Sequence, residues 1–145
     1  MRLPVQVQGI LFRRTNRGVE YLLLKTTPER EDFWQSVTGG EEEGETEVEA
    51  LKREVSEETG IKNIVRIIEN VDYFEYSGAH IIKGYDFIRE YVFGVEVDPK
   101  ERVAIDGKEH SKFRWCSFQE AIQLLKWEEN KKALSKLNEI LTSRR

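Results

Sequence analysis

The stretch GGEEEGETEVEALKREVSEETGI, residues 39 to 61, constrains this chain more than any other. Val48, Leu51 and Val55 recur at helical spacing, which predicts a helix from about Thr46 to Thr59, and Gly60 is a natural stop just past its end. The Gly39-Gly40 pair ahead of it reads as a turn. Residues on a helix advance about 100° each, so Glu54, Glu57 and Glu58 share one face while Leu51 and Val55 point elsewhere. Three carboxylates on one face repel each other unless a cation offsets them. Hard oxygen ligands on a rigid face suit Mg²⁺, with Mn²⁺ as the alternative. Glycine has no side chain in the way, so backbone carbonyls of the turn can approach the same ion.

The acid is concentrated here. Residues 41 to 58 hold nine glutamates against Lys52 and Arg53, a local balance of −7, in a chain of 145 residues whose net charge is −4. The other 127 residues sum to +3. A basic nucleic-acid-binding face would be the opposite pattern, so nucleic acid is not an expected partner. With 39% hydrophobic and 34% charged residues the chain reads as globular, and residues 1–145 are expected to form one domain. No apolar run approaches the roughly 18 residues of a membrane span. Cys116 is the only cysteine, which excludes an internal disulfide and a cysteine metal site. The N-terminal MRLPVQVQGILF lacks the apolar core and cleavage site of a signal peptide, so the expected location is cytoplasmic. Nothing in the sequence indicates an oligomeric state.

Along the chain, residues 4–14 and 19–26 read as strands around a turn at Asn16-Arg17-Gly18, followed by a polar loop over 27–35. Residues 63–76 and 86–97 are rich in Val, Ile, Tyr and Phe and read as strands, with a short last one at 112–116. Ser117 to Glu120 is a capping box opening a helix, and Leu134, Leu137 and Leu141 line one stripe of another over about 128–142. Strands mixed with helices in this order predict an α/β layered domain.

Residues 39 to 61 run Gly39, five residues, Glu45, seven residues, Arg53-Glu54, hydrophobic Val55, one residue, Glu57-Glu58, one residue, Gly60 and hydrophobic Ile61. This resembles a complete Nudix box, with every fixed position matched. The resemblance implies an α/β/α sandwich around a mixed sheet and Mg²⁺-dependent hydrolysis of nucleoside diphosphates linked to another moiety. It implies Glu54, Glu57 and Glu58 as metal-binding carboxylates, and Gly39 or the carbonyl of Thr38 as a backbone ligand. Glu45 and Arg53 would pair to hold the loop against the helix.

Within the family, DFWQSVTGGEEEGET (32–46) resembles the folate-pathway branch that acts on dihydroneopterin triphosphate. Glu109-His110, FRW at 113–115 and Lys126-Trp127 are similar to that branch in the same order, and the resemblance thins over 62–90, where the variable part of a substrate would be read. The implied substrate is a small molecule bearing a di- or triphosphate, dihydroneopterin triphosphate first, with pyrophosphate released. The alternative is a (deoxy)nucleoside triphosphate such as dATP. A non-catalytic nucleotide-binding Nudix module is the rival, but such modules lose box glutamates and this chain keeps all of them.

Outside the box, Phe33 and Trp34 either stack a heterocycle or plug the core. Gln35 either bonds a heterocycle edge or is an ordinary loop amide. Lys25 and Arg30 either contact phosphates or are solvated. Glu109, in the polar loop DGKEHSK, is a surface acid or, by the resemblance, a metal ligand or general base alongside Glu57; His110 is a weaker candidate. Trp115 and Trp127 are assigned to the core. Glu41, Glu42, Glu43, Glu47 and Glu49 are expected to form a solvated face.

Overall fold

The computed structural model describes residues 3–77 and 84–143, and of Arg2 the backbone alone. Its strands are β1 (Arg2–Thr15), β2 (Gly18–Thr26), β3 (Trp34–Gln35), β4 (Val37–Glu42), β5 (Ile64–Ser77), β6 (Phe87–Val97) and β7 (His110–Cys116). The helices are α1 (Glu47–Thr59), α2 (Phe118–Leu124) and α3 (Glu128–Thr142), and a short 3-10 turn covers Pro28–Arg30. The main path of the sheet runs β3-β2-β1-β6-β5, with β4 paired to the first half of β1 and β7 to β2. β1 and β6 are parallel and the other pairs antiparallel, so the sheet is mixed.

Strand side chains alternate between faces, and the alternation separates two cores. Val7, Leu11, Leu22, Leu24 and Val95 face Leu51 and Val55 of α1. Ile10, Phe12, Tyr21, Leu23 and Val92 face Ala121 of α2 and Leu134 and Leu137 of α3. The result is the expected α/β/α sandwich. The predicted capping box of Ser117 with Glu120 forms, and Thr46 makes a second one with Glu49 at the start of α1. Gly60 closes α1 at φ +73°, a conformation costly for a side-chain-bearing residue.

Three expectations need correction. Gly39 and Gly40 do not form a turn; they lie in β4 opposite Val7 and Gln6, and the chain turns later, around Gly44. The loop over 27–35 ends in the short strand β3. Glu41 is not solvated: at 3% exposure it is buried and hydrogen-bonded to Glu47. Burial first, then the bond and charge of Glu47, push its pKa up to about 7.

Candidate active site

β4 lies alongside the second half of α1. A Cβ on Gly39 would fall on the carboxyl group of Glu54, so only glycine allows this side chain to rest against the strand. Glu58, one turn further on and 3% exposed, shares a hydrogen bond with Glu54 and receives one from the Thr38 backbone. Burial raises the Glu58 pKa far above the usual carboxylate range, and the Glu54 bond and the charges of Glu54 and Glu109 raise it further. Glu58 Oε1 is buried without a hydrogen-bond partner and lies 3.8 Å from His110 Nε2. An orphaned carboxylate oxygen beside a second carboxyl is a donor set that fits a divalent cation, which would take the place of the shared proton.

Arg53 organises the rest of the box. Its Nε and Nη2 donate to the two oxygens of Glu45 at 2.7 and 3.0 Å, and Nη2 also donates to the Gly40 carbonyl at 2.9 Å. Nη1 donates to Glu54 at 2.7 Å and to Glu57 at 3.1 Å. One guanidinium thus ties the β4–α1 loop, the strand and two acidic side chains together. The helical phase that groups the three glutamates does not bring all three into the cleft. Glu57 is 52% exposed, turned to Arg53, and is not among the cleft-lining residues. Among the described residues no three carboxylate, imidazole or thiolate groups form a closed cage. Mg²⁺ does not require one; it commonly takes one or two carboxylates and completes its shell with water and substrate phosphates.

Glu54, Glu58 and Gly39 line a cleft of about 560 Å³ with Glu29, Glu31, Arg30 and Glu109. Five carboxyl groups against one arginine would repel a polyphosphate unless cations intervened. Glu109 Oε1 sits 3.6 Å from Arg30 Nη1. His110 is buried, and burial lowers its pKa, which keeps it neutral. The Gln35 amide nitrogen lies 3.1 Å from His110 Nε2, so Gln35 is already engaged.

The cleft continues into a second cavity of about 490 Å³, the two sharing Gln6, Phe33, Gln35 and Thr38. Phe33 is presented by two consecutive left-handed residues, Glu31 (φ 77°) and Asp32 (φ 54°), a strain of order 1–3 kcal/mol each. Thr26 holds the loop: its Oγ1 accepts from the Phe33 N–H at 2.9 Å, and its N–H donates to the Phe33 carbonyl at 2.8 Å. Trp127 meets Phe33 edge to face at 6.2 Å, and Phe74 and Tyr76 form another wall.

One sequence reading changes and two open ones are decided. Trp127 is not core; it is 46% exposed and lines this cavity. Trp34 does the reverse: it bridges to Leu125 and packs on the core under α2 and α3, on the opposite strand face from Phe33 and Gln35. Lys25 goes with it, 5.9 Å from the Trp34 ring and 3.6 Å from Asp32, and lines neither cavity. Trp115 does pack on the α1-side core, with the Arg13 guanidinium 4.2 Å over its ring. The sequence reading missed Gln6, Phe74, Tyr76 and Glu90. The available signal was the pair of glutamines alternating with valines in VQVQ, and Glu90 between Ile88 and Val92.

A NUDIX domain profile matches residues 3–137. Dihydroneopterin triphosphate diphosphatase of Escherichia coli is 30% identical over 139 residues, covering 90% of this chain and 89% of that protein. An octanoyltransferase of Myxococcus xanthus is 35% identical over 111 residues, but the chain spans only 30% of that protein. A crystal structure of a Listeria monocytogenes protein assigned as a NUDIX hydrolase superposes with a TM-score of 0.85 at 33% identity, covering 96% of this chain and 94% of that one. No helix among the described residues is long and apolar enough to cross a membrane.

Proposed function

This chain belongs to the NUDIX family of hydrolases, and from that premise we propose that it is a Mg²⁺-dependent pyrophosphohydrolase of a nucleoside-triphosphate-like substrate, dihydroneopterin triphosphate first. The observation that carries this is the contact of Glu54 with Gly39 and with buried Glu58, whose free oxygen faces an acidic cleft. Glu54, Glu58 and the Thr38–Gly39 backbone would hold Mg²⁺, or Mn²⁺ in its place. When bound, the ion supplies charge neutralisation for the phosphate oxygens and activation of the attacking water.

The protein's own groups do the rest. Arg53 fixes Glu54 from behind and keeps Glu57 at the rim. Of the two carboxylates open to proton transfer, Glu109 lines the cleft and Glu57 does not, so Glu109 accepts the proton of the attacking water. Arg30, the arginine of the lining, contacts phosphate. Phe33 stacks the heterocycle at the far end, worth about 1–3 kcal/mol in comparable sites. Hydrolysis in line yields the monophosphate and pyrophosphate, with most of the rate from positioning and charge stabilisation. The 30% identity to the E. coli diphosphatase over nearly the whole of both chains supports the pterin substrate over dATP.

The test is pyrophosphate release from dihydroneopterin triphosphate, dATP, dGTP and ADP-ribose at saturating Mg²⁺. The pterin should give the highest kcat/KM. A tenfold advantage for another compound overturns the substrate, and no turnover of any of them overturns the hydrolase reading.

A further inference from the structure

We propose that the cavity beside the cleft is a ring subsite in which Glu90 reads the two adjacent N–H donors of a 2-amino-4-oxopyrimidine edge, present in guanine and pterins and absent from adenine. The inference rests on the hydrolase reading for the location of the phosphates and goes beyond it in naming the ring and its reader.

Glu90 sits on the interior strand β6, beside Gln6 of β1 in the parallel register and opposite Phe74 of β5. On this sheet face Ile10, Phe12 and Val92 belong to the core, and towards the cavity the row turns polar at Gln8, Gln6 and Glu90. Glu90 is 4% exposed yet lines the cavity. Its Oε2 accepts from Gln8 Nε2 at 2.6 Å, its Oε1 accepts from the Tyr76 hydroxyl at 3.2 Å, and the Gln6 side chain also bonds to it. A carboxylate offers about four acceptor positions and three are taken among the described residues, the Tyr76 bond being the longer of the two measured.

Burial raises the Glu90 pKa, and the bonds from Gln8, Tyr76 and Gln6 oppose that shift by favouring the ionised form, which only accepts hydrogen bonds. Its two oxygens match two parallel N–H groups, the geometry used by paired donors elsewhere. Guanine presents its ring N–H and 2-amino group at that spacing, and a pterin presents the same pair. Adenine presents a ring nitrogen lone pair, which a carboxylate repels. The walls suit a flat ring: Phe33 and Trp127 on one side, Phe74 and Tyr76 on another. Among the described residues the lining includes three glutamates and neither lysine nor arginine, so the phosphates are directed to the adjoining cleft. Phe74, Tyr76 and Glu90 all fall between residues 62 and 90, where the family resemblance is weakest and a substrate's variable part would be read.

The first test needs no variant. At saturating Mg²⁺, kcat/KM for dGTP should exceed that for dATP by about tenfold or more, the scale set by leaving buried hydrogen-bonding groups unmatched. dITP, which lacks only the 2-amino group, should fall between. Dihydroneopterin triphosphate should be at least as good as dGTP; if dGTP alone shows the preference, the subsite reads guanine. Glu90→Gln should collapse the dGTP to dATP ratio tenfold or more. Equal kcat/KM for dGTP and dATP in the parent, or an unchanged ratio in the variant, overturns the proposal. Binding of dGMP, IMP and dAMP without metal, by titration calorimetry, separates the two readings. A dGMP preference in a protein that hydrolyses nothing sustains the ring subsite while the hydrolase reading falls. If Glu90→Gln does not fold, the parent's dGMP, IMP and dAMP series decides, and equal affinities overturn the subsite.

Discussion

Gly39→Ala separates the fold from the site. The backbone at Gly39 is ordinary strand with no left-handed φ, so alanine fits the chain and gains about 0.4–1 kcal/mol by restricting the unfolded state. Its methyl group would land on the Glu54 carboxyl, and that flexible side chain must swing away. The swing breaks the 2.7 Å bond from Arg53. A hydrogen bond to a charged group contributes about 1.5–3 kcal/mol, less here because Arg53 is partly solvated and keeps Glu45, Glu57 and the Gly40 carbonyl. The swing also loses the hydrogen bond shared with buried Glu58, so the net loss is about 1–3 kcal/mol, a fall in Tm of about 4–12 °C. Function responds differently, because moving a key group by about 1 Å can cost 10²-fold. Thermal denaturation and pyrophosphate release should be measured on one preparation. The expected outcome is a folded protein with Mg²⁺-dependent turnover at least about 100-fold lower. Turnover within threefold of the parent in a folded protein would show that Glu54 does not act where it rests against Gly39.

Glu109→Gln should lower kcat far more than it raises KM, since it removes a proton acceptor and leaves the cleft shape alone; a change confined to KM would assign Glu109 to substrate binding. Glu41→Gln addresses pH. The folded-state pKa of Glu41 is raised from 4.5 to about 7, so the folded state holds this proton more tightly than the unfolded chain. Its contribution is therefore fully present below pH 4.5 and is lost as pH rises through about 7. Glutamine cannot lose that proton, so the variant should gain about 1–3 kcal/mol over the parent at pH 8 and nothing at pH 4.5. Urea denaturation at both values checks this, and an equal difference at each would contradict it.

The box was legible because one spacing encodes both a helical phase and a set of chemical identities. The caps at Thr46 and Ser117 and the stop at Gly60 are likewise local signals, and the helices begin and end where those signals lie. What escaped the sequence depends on contacts between distant segments. Gly39-Gly40 looks the same locally whether glycine is needed for a turn or for the approach of a helix side chain to a strand. Glu57 has the helical phase of its neighbours, but its bond to Arg53, four residues back, sets where it points. Phe33 and Trp34 are adjacent, and only the pairing of β3 with β2 decides which faces the cavity. Glu90 meets Gln6 and Gln8 through the parallel pairing of β1 with β6, across more than 80 residues of chain, which no local pattern reports.

In the proposed activity, Glu54 and Glu58 are the carboxylates that let the acidic cleft work with a divalent cation. Pyrophosphate release from a triphosphate, titrated with Mg²⁺ in the parent and in Glu58→Gln, tests this most directly. The substitution removes a ligand oxygen that can ionise for a cation and almost no volume, so the fold should persist. The parent should show saturable Mg²⁺ dependence, and the variant should run at least about 100-fold slower at every Mg²⁺ concentration. Turnover of a folded Glu58→Gln within threefold of the parent, or parent turnover indifferent to Mg²⁺, would contradict it.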